Sequence, residues 1–156
     1  MAGKIGPGRS SARRRLDRGR NGGLAPGRDR YSSFVANSSR RKELDLKNEA
    51  PEVKAQGMKF IKFPIPDRQV PGSQSELTAL LQEIDADLSG GSNVAIHCRQ
   101  GVGRTGLVAA CLLVSGGLSS TEAINAVSAA RGNTVPETDE QHQWIDHYAA
   151  VLASAK

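Results

Sequence analysis

The chain has 156 residues, a length that favours one domain, and its 38% apolar content is enough for a core filled mainly by aliphatic side chains. Its longest wholly apolar run, residues 107–114, is far shorter than the roughly 20 residues of a membrane-spanning helix, so no membrane span is predicted. Two cysteines cannot form a disulfide framework or a four-thiolate zinc site, and a reduced, cytoplasmic setting fits them best.

Positive charge is concentrated at the N-terminus. Residues 1–41 hold 11 Lys and Arg against two acidic residues, whereas residues 42–156 hold 10 against 14. The first segment is rich in Gly, Arg and Ser and has no apolar periodicity, so we predict a disordered basic tail over 1–41 and a folded domain over 42–156. Nucleic-acid binding by the tail is disfavoured because no aromatic residues are interleaved with its arginine run. A transit peptide and a misread start are the alternative interpretations of this segment.

Downstream of the tail, strands and helices alternate. Glycine or proline bounds each apolar segment, and two Ser-x-x-Glu capping boxes, at Ser73 and Ser119, mark helix starts. The pattern predicts, in order, a helix at 50–56, a strand at 58–63, a helix from 73 to about 89, a strand at 93–97, a helix at 104–114, a helix from 119 to 131 and a last helix after Pro136. The fold class is therefore α/β, with a central, mainly parallel sheet flanked by helices.

Only two strands stand out, and a two-stranded sheet is marginal. Residues 33–36 are a candidate for a remnant third strand. We therefore expect the N-terminal part of the sheet to be incomplete, either because strands are missing or because a misread start has replaced them. In both cases we expect lower stability than that of a complete domain.

The motif with the most candidate catalytic residues is HCRQGVGRTG, residues 97–106. It lies between a predicted strand and a predicted helix. Its three glycines allow backbone N–H groups to converge on an anion, and the helix N-terminus adds positive potential. Cys98 opens this turn, where a thiolate is stabilised and can attack a bound phosphate in line, while Arg104 offers a planar fork to phosphate oxygens. Thr105 can donate its hydroxyl toward Cys98 and ease departure of the thiolate. The predicted phosphate-binding residues are Arg99, Gln100, Gly101, Val102, Gly103 and Arg104.

This motif is similar to the signature of the cysteine-dependent protein tyrosine and dual-specificity phosphatases. The resemblance implies a protein tyrosine phosphatase-like fold, with Cys98 as nucleophile, Arg104 as phosphate binder, Thr105 as hydroxyl partner and His97 as a group behind the cysteine that tunes it. It implies hydrolysis of phosphate monoesters on proteins through a cysteinyl-phosphate, without metal or cofactor. The alternative interpretation of the motif is a buried structural cysteine in a glycine turn.

A general acid must protonate the leaving oxygen, and the segment Phe63–Pro71, FPIPDRQVP, offers Asp67. This segment resembles the general-acid loop of bacterial dual-specificity-like phosphatases, although an Asp in a proline-rich loop is by itself a common turn former. Arg68 either holds this loop closed or meets substrate.

Near the start of the last helix, Glu137 and Gln141 are predicted to share one helical stripe with Trp144 and Tyr148. The segment is similar to a family segment whose Gln orients the attacking water; a solvated first helical turn is the alternative.

Other functions stay open at this point. A phosphoinositide or other small phosphate-ester phosphatase of the same superfamily is one alternative, for which Arg99 is the expected basic residue but Val102 is not. A catalytically impaired, phosphate-binding pseudophosphatase is another. His142 and His147 are spaced too far around a helix to share a metal, and Cys111 is expected to be a buried apolar residue rather than a redox partner of Cys98.

Overall fold

The computed structural model describes residues 31–34, 49–98 and 102–155. Within these ranges strands and helices alternate as the sequence predicts, and the α/β fold class is confirmed. The elements are β1 (Tyr31–Phe34), α1 (Glu49–Ala55), β2 (Lys59–Lys62), α2 (Gln74–Ser89), β3 (Val94–His97), α3 (Gly103–Ser115), α4 (Ser120–Arg131) and α5 (Asp139–Ser154).

The described strands form a parallel sheet in the order β2-β1-β3. Tyr31 is in register with Lys59 on one side and with Val94 on the other, so β1 is the central strand. This strand lies inside the segment assigned to the tail, where the sequence suggested no more than a remnant at 33–36. The third strand therefore exists and begins two residues before the predicted remnant. The domain boundary at residue 41 stays a prediction.

Helix α3 occupies the centre of the molecule. Twelve of its 13 residues are buried, because it runs behind the sheet and packs against α2, α4 and α5. A helix that is apolar on every face needs such a position. The residues that cover it come mainly from the three neighbouring helices: Leu77, Leu80, Leu81 and Ile84 from α2, Ala123 and Val127 from α4, and Ile145 and Tyr148 from α5. The core thus holds the N-terminus of α3 in one place.

The starts of α2, α4 and α5 are defined by side-chain caps. Ser73 accepts a hydrogen bond from the backbone of Glu76, and Ser119 forms a reciprocal capping box with Glu122. A further reciprocal box, between Thr138 and Gln141, starts α5 at Asp139. None of the described helices has the length and apolar content to cross a membrane.

Candidate active site

Cys98 lies where β3 ends, and α3 begins five residues later at Gly103. Both His97 and Cys98 are half-buried. The positive end of the α3 dipole therefore follows Cys98 closely in the chain. The predicted phosphate-binding residues Arg99, Gln100 and Gly101 fall outside the described residues, whereas Val102 caps α3 through its backbone.

The side chain of Arg104 connects this turn to the segment that carries Asp67. Arg104 is 5% exposed. Its Nη1 donates to the backbone oxygen of Ile65 at 3.3 Å, and its Nη2 lies 3.1 Å from Oδ1 of Asp67. Two residues predicted from separate motifs are therefore in direct contact. The contact with Ile65 carried no sequence signal, because any residue supplies a backbone carbonyl.

Thr105 is also buried, and its Oγ1 has no hydrogen-bond partner among the described residues. A buried hydroxyl without a partner is rare in folded proteins. Its predicted action on Cys98 stays a prediction.

Residues 63–71, which we call the acid loop, carry Asp67 at the tip of a tight turn. The backbone N–H of Gln69 donates to the oxygen of Pro66 at 3.1 Å, which places Asp67 and Arg68 at the two central positions. Arg68 has φ of 59°, in the left-handed region that favours glycine. The base of the loop is anchored by Ile65, which is fully buried, whereas the Asp67 side chain is 48% exposed.

Gln141 fastens the acid loop to the start of α5. Its side chain is fully buried and donates from Nε2 to the backbone oxygen of Gln69 at 2.9 Å. Its Oε1 accepts from the backbone N–H groups of Glu137 and Thr138 at 3.2 and 3.3 Å. One amide N–H remains for another partner, so orientation of a water by Gln141 stays a prediction.

The loop before α5, residues 135–138, packs on the first turn of α3; we call it the pre-α5 loop. A Cβ at Gly103 would lie 3.0 Å from Oε2 of Glu137 and 3.0 Å from Oε1 of Gln141. A Cβ at Gly106 would lie only 2.8 Å from Cβ of Val135. Both glycines are therefore needed for close packing. Glu137 precedes α5 and does not lie on its stripe, which corrects the prediction, although it does meet Gln141.

Cys111, which lies outside the site, matches its sequence interpretation. Cys111 is fully buried in α3, and desolvation raises the pKa of its thiol, which confirms a buried apolar residue. Within the described ranges, no group of three or more His, Cys, Asp or Glu side chains is placed to hold a metal ion.

The chain is similar to several known phosphatases. The family model described as "Polymorphic toxin system, DSP-PTPase phosphatase" matches residues 19–118, which include β1, the acid loop and the HCRQGVGRTG motif. The cyclin-dependent kinase inhibitor 3 of Rattus norvegicus is 36% identical over 97 residues, which cover 58% of this chain and 45% of the relative. The Arabidopsis thaliana phosphatidylinositol 3,4,5-trisphosphate 3-phosphatase and protein-tyrosine-phosphatase PTEN1 is 30% identical over 99 residues, which cover 61% of this chain and 24% of that protein.

Among solved structures, that of Tk-PTP in the active form superimposes with a TM-score of 0.67 and 31% identity. The match covers 78% of this chain and 80% of that chain. The curated relatives are longer: this chain spans less than half the length of the rat protein and about a quarter of PTEN1.

Proposed function

Because this chain belongs to the DSP-PTPase phosphatase family of polymorphic toxin systems, we propose that it is a cysteine-dependent phosphatase of the tyrosine or dual-specificity type. It removes phosphate from phosphorylated proteins through a cysteinyl-phosphate intermediate. The reaction needs a thiolate, an anion cradle and a proton donor, and the chain offers a candidate for each at one place. No cofactor enters this proposal.

The contact between Arg104 and Asp67 is the observation that carries the proposal. The 3.1 Å distance brings the candidate phosphate binder and the candidate general acid to one site, although they stand in separate segments of the chain. Arg104 stands six positions after Cys98 in the chain and lies in the first turn of α3. A phosphate bound by the guanidinium would therefore lie near both the sulfur and the carboxyl group.

In the first step, Sγ of Cys98 attacks phosphorus and the bond from phosphorus to the leaving oxygen breaks. Asp67 gives its proton to that oxygen, so the alcohol or phenol leaves neutral. In the second step, water attacks the phosphorus, the S–P bond breaks, and inorganic phosphate is released as the thiolate reforms. The ionised Asp67 accepts the proton of the water. Thr105 stabilises the departing thiolate, His97 tunes the cysteine from behind, and Gln141 directs the water.

Backbone N–H groups of residues 99–103 and the guanidinium of Arg104 hold the three phosphoryl oxygens in both steps. Fixed donors at a helix N-terminus stabilise charge that develops in the transition state without reorganising. The buried side chain of Arg104 suits this role, because a hydrogen bond to Ile65 and an ion pair with Asp67 already fix its direction.

The direct test is hydrolysis of 4-nitrophenyl phosphate by the full chain, with reductant and chelator present. Cys98→Ser should lower kcat/KM by more than about a thousandfold. On phenyl phosphate, whose leaving oxygen needs a proton, Asp67→Asn should lower kcat/KM by about a hundred- to ten-thousandfold. Cys111→Ser is the matched control, since this thiol is buried away from the site and its loss should leave the kinetics unchanged. Circular dichroism checks that each variant folds. A folded wild type with no activity but with phosphate binding would instead identify a pseudophosphatase.

Phosphoinositides are the second candidate substrate class. The similarity to PTEN1 favours them, as does the basic Arg99 beside Cys98, while the apolar Val102 does not. Phosphotyrosyl, phosphothreonyl and phosphoseryl peptides should be compared with a soluble phosphatidylinositol 3,4,5-trisphosphate at equal concentration. We expect a higher kcat/KM on peptides; a tenfold preference for the inositol lipid would replace the protein substrate by a lipid.

The family description also places such phosphatases in polymorphic toxin systems. We therefore propose that this chain acts as the phosphatase of such a system, in the cytoplasm, where Cys98 stays reduced. Induced expression of the wild type in a bacterial host should slow growth, whereas Cys98→Ser at the same protein level should not. Equal growth of both strains would contradict the toxin role. The phosphatase activity itself is tested separately by the hydrolysis assay.

A further inference from the structure

An ion pair joins the acid loop to the pre-α5 loop beside Asp67. Nη1 of Arg68 lies 3.1 Å from Oε1 of Glu137. These residues are 69 positions apart in the chain, and their contact is exposed. The Arg68 side chain is 66% exposed and that of Glu137 is 27% exposed. The pair therefore lies at the rim of the site and not in its interior.

The backbone conformation of Arg68 is the first indication that the ion pair has a functional role. Its φ of 59° belongs to a position in a turn where glycine has the lowest cost, and it is the only residue other than glycine in the described ranges with positive φ. Strain of this kind persists only where surrounding contacts hold it. An arginine at this position indicates that its side chain is used, and the contact the structure shows is with Glu137.

Glu137 is the second indication, because it touches both sides of the site. Its backbone N–H donates to the buried Gln141, whose amide also holds the carbonyl of Gln69. Its Oε2 lies 3.0 Å from the position of a Cβ on Gly103, the first residue of α3. Glu137 thus fills the space between the phosphate-binding turn and the acid loop, with its carboxylate directed to Arg68.

We propose that Arg68 and Glu137 form a latch that positions Asp67 for proton donation to the leaving oxygen. Both are positioning residues: Asp67 makes the chemical contact, and the latch keeps the turn that carries it against α3. This inference rests on the proposed phosphatase function. An exposed ion pair contributes little to stability, so breaking the latch should change the reaction more than the fold.

Two substrates with different leaving groups distinguish a latch that positions Asp67 from an ion pair that only stabilises the fold. An acidic phenol leaves with little help from a proton donor, whereas phenol itself needs that proton in the transition state. Loss of the latch should therefore lower kcat/KM on phenyl phosphate by about three- to fivefold, which is the largest effect that an exposed ion pair can have when it acts fully on the transition state. On 4-nitrophenyl phosphate the loss should stay below about twofold. The quantity kcat/KM reports the first phosphoryl transfer, where Asp67 acts as acid.

The experiment compares wild type, Glu137→Gln, Arg68→Gln and the charge-exchanged Arg68→Glu/Glu137→Arg chain on both substrates. The single variants should show the selective loss, and the exchanged pair should regain at least half of it. Asp67→Asn should show the same selectivity with a larger loss. Glu83→Gln, which breaks a surface ion pair with Lys59 away from the site, is the matched control and should lose nothing. Two single variants protect the test against one that fails to fold.

Equal losses on the two substrates, or no loss in either single variant, would overturn the latch while the wild-type activity upheld the phosphatase. An exchanged pair no better than the single variants would also overturn it, since the contact would then not be the cause. A folded wild type inactive on both substrates would overturn the phosphatase function and the latch together.

Discussion

Replacement of Gly106 by alanine tests how closely the pre-α5 loop must approach α3. The added Cβ would lie 2.8 Å from Cβ of Val135, and 3.3 and 3.4 Å from its two methyl groups. Carbon atoms normally rest at about 3.5–4.0 Å, so the two segments must separate by roughly 1 Å. Val135 is fully buried and its Cβ is fixed to the backbone, so no change of rotamer relieves the nearest contact.

Overpacking of this kind costs about 1–3 kcal/mol, and alanine in place of glycine inside a helix returns about 1 kcal/mol. Because no change of rotamer relieves the 2.8 Å contact, we place the penalty in the upper part of that range, at about 2–3 kcal/mol, and expect Gly106→Ala to lower the free energy of unfolding by about 1–2 kcal/mol. In a chain of this size that corresponds to a decrease in Tm of about 2–8 °C. Separation of the loops also moves Glu137 and Gln141, so kcat/KM should fall in the same variant.

Urea denaturation and differential scanning calorimetry measure the change, and Gly72→Ala is the matched control. Gly72 has ordinary φ and no atom within 4 Å of an added Cβ, so alanine there should be neutral or stabilising by about 0.5 kcal/mol. Adding Val135→Ala to Gly106→Ala removes the two methyl contacts but not the nearest one, and should restore only part of the contact penalty. A Gly106→Ala chain as stable as wild type would refute the packing argument.

Ser119→Ala removes the side chain of the α4 capping box and should lower the free energy of unfolding by about 1 kcal/mol in urea denaturation; an unchanged midpoint would show that the box adds nothing. Hydrogen bonding to Glu83, opposed by partial burial and assisted by a second carboxylate, raises the pKa of Lys59 above its ordinary value of 10.5. The stabilisation of the fold by the charged Lys59 is complete below that value and is lost as the pH rises past it. The unfolding free energies of wild type and Lys59→Met should therefore converge above pH 10.5. A constant difference between the two free energies across this pH range would contradict the ion pair. Burial raises the pKa of Cys111, so in a Cys98→Ser chain a thiol reagent should react only after denaturation; rapid reaction of the folded chain would contradict that burial.

The helices were predictable because their signals are local. The Ser73 and Ser119 caps, the apolar spacing of α2 and the glycine after α4 each lie within a few residues of the element that they define. Strand β1 was not predictable in the same way. Its sequence YSSF has two serines and follows a Gly- and Arg-rich stretch, and its place between β2 and β3 depends on pairing with residues far along the chain.

The site shows the same division. The turn from Cys98 to Arg104 and the acid-loop residue Asp67 stand in compact motifs, and their proximity followed from the chemistry that they share. The link from Gln141 to the carbonyl of Gln69 was missed, since backbone acceptors leave no trace in sequence. The Thr-x-x-Gln pattern that starts at Thr138 was a usable signal, because a capping box fixes Gln141 as the third residue of α5 and leaves Glu137 before the helix. The left-handed backbone of Arg68 contradicts local propensity and had no signal at all.

The pairing of Arg104 with Asp67 also sets the electrostatics of the site. A buried guanidinium without a counter-charge would be strongly unfavourable, and here a tethered carboxylate supplies that charge. Anion binding at this arginine is therefore an exchange reaction, in which an incoming group displaces a resident one. The free energy of anion binding is then the difference between the free energies of two ion pairs, that of Arg104 with the anion and that of Arg104 with Asp67. Such a site favours doubly charged ligands. A dianion attracts the guanidinium more strongly than the singly charged carboxylate does, whereas a singly charged ester attracts it about equally.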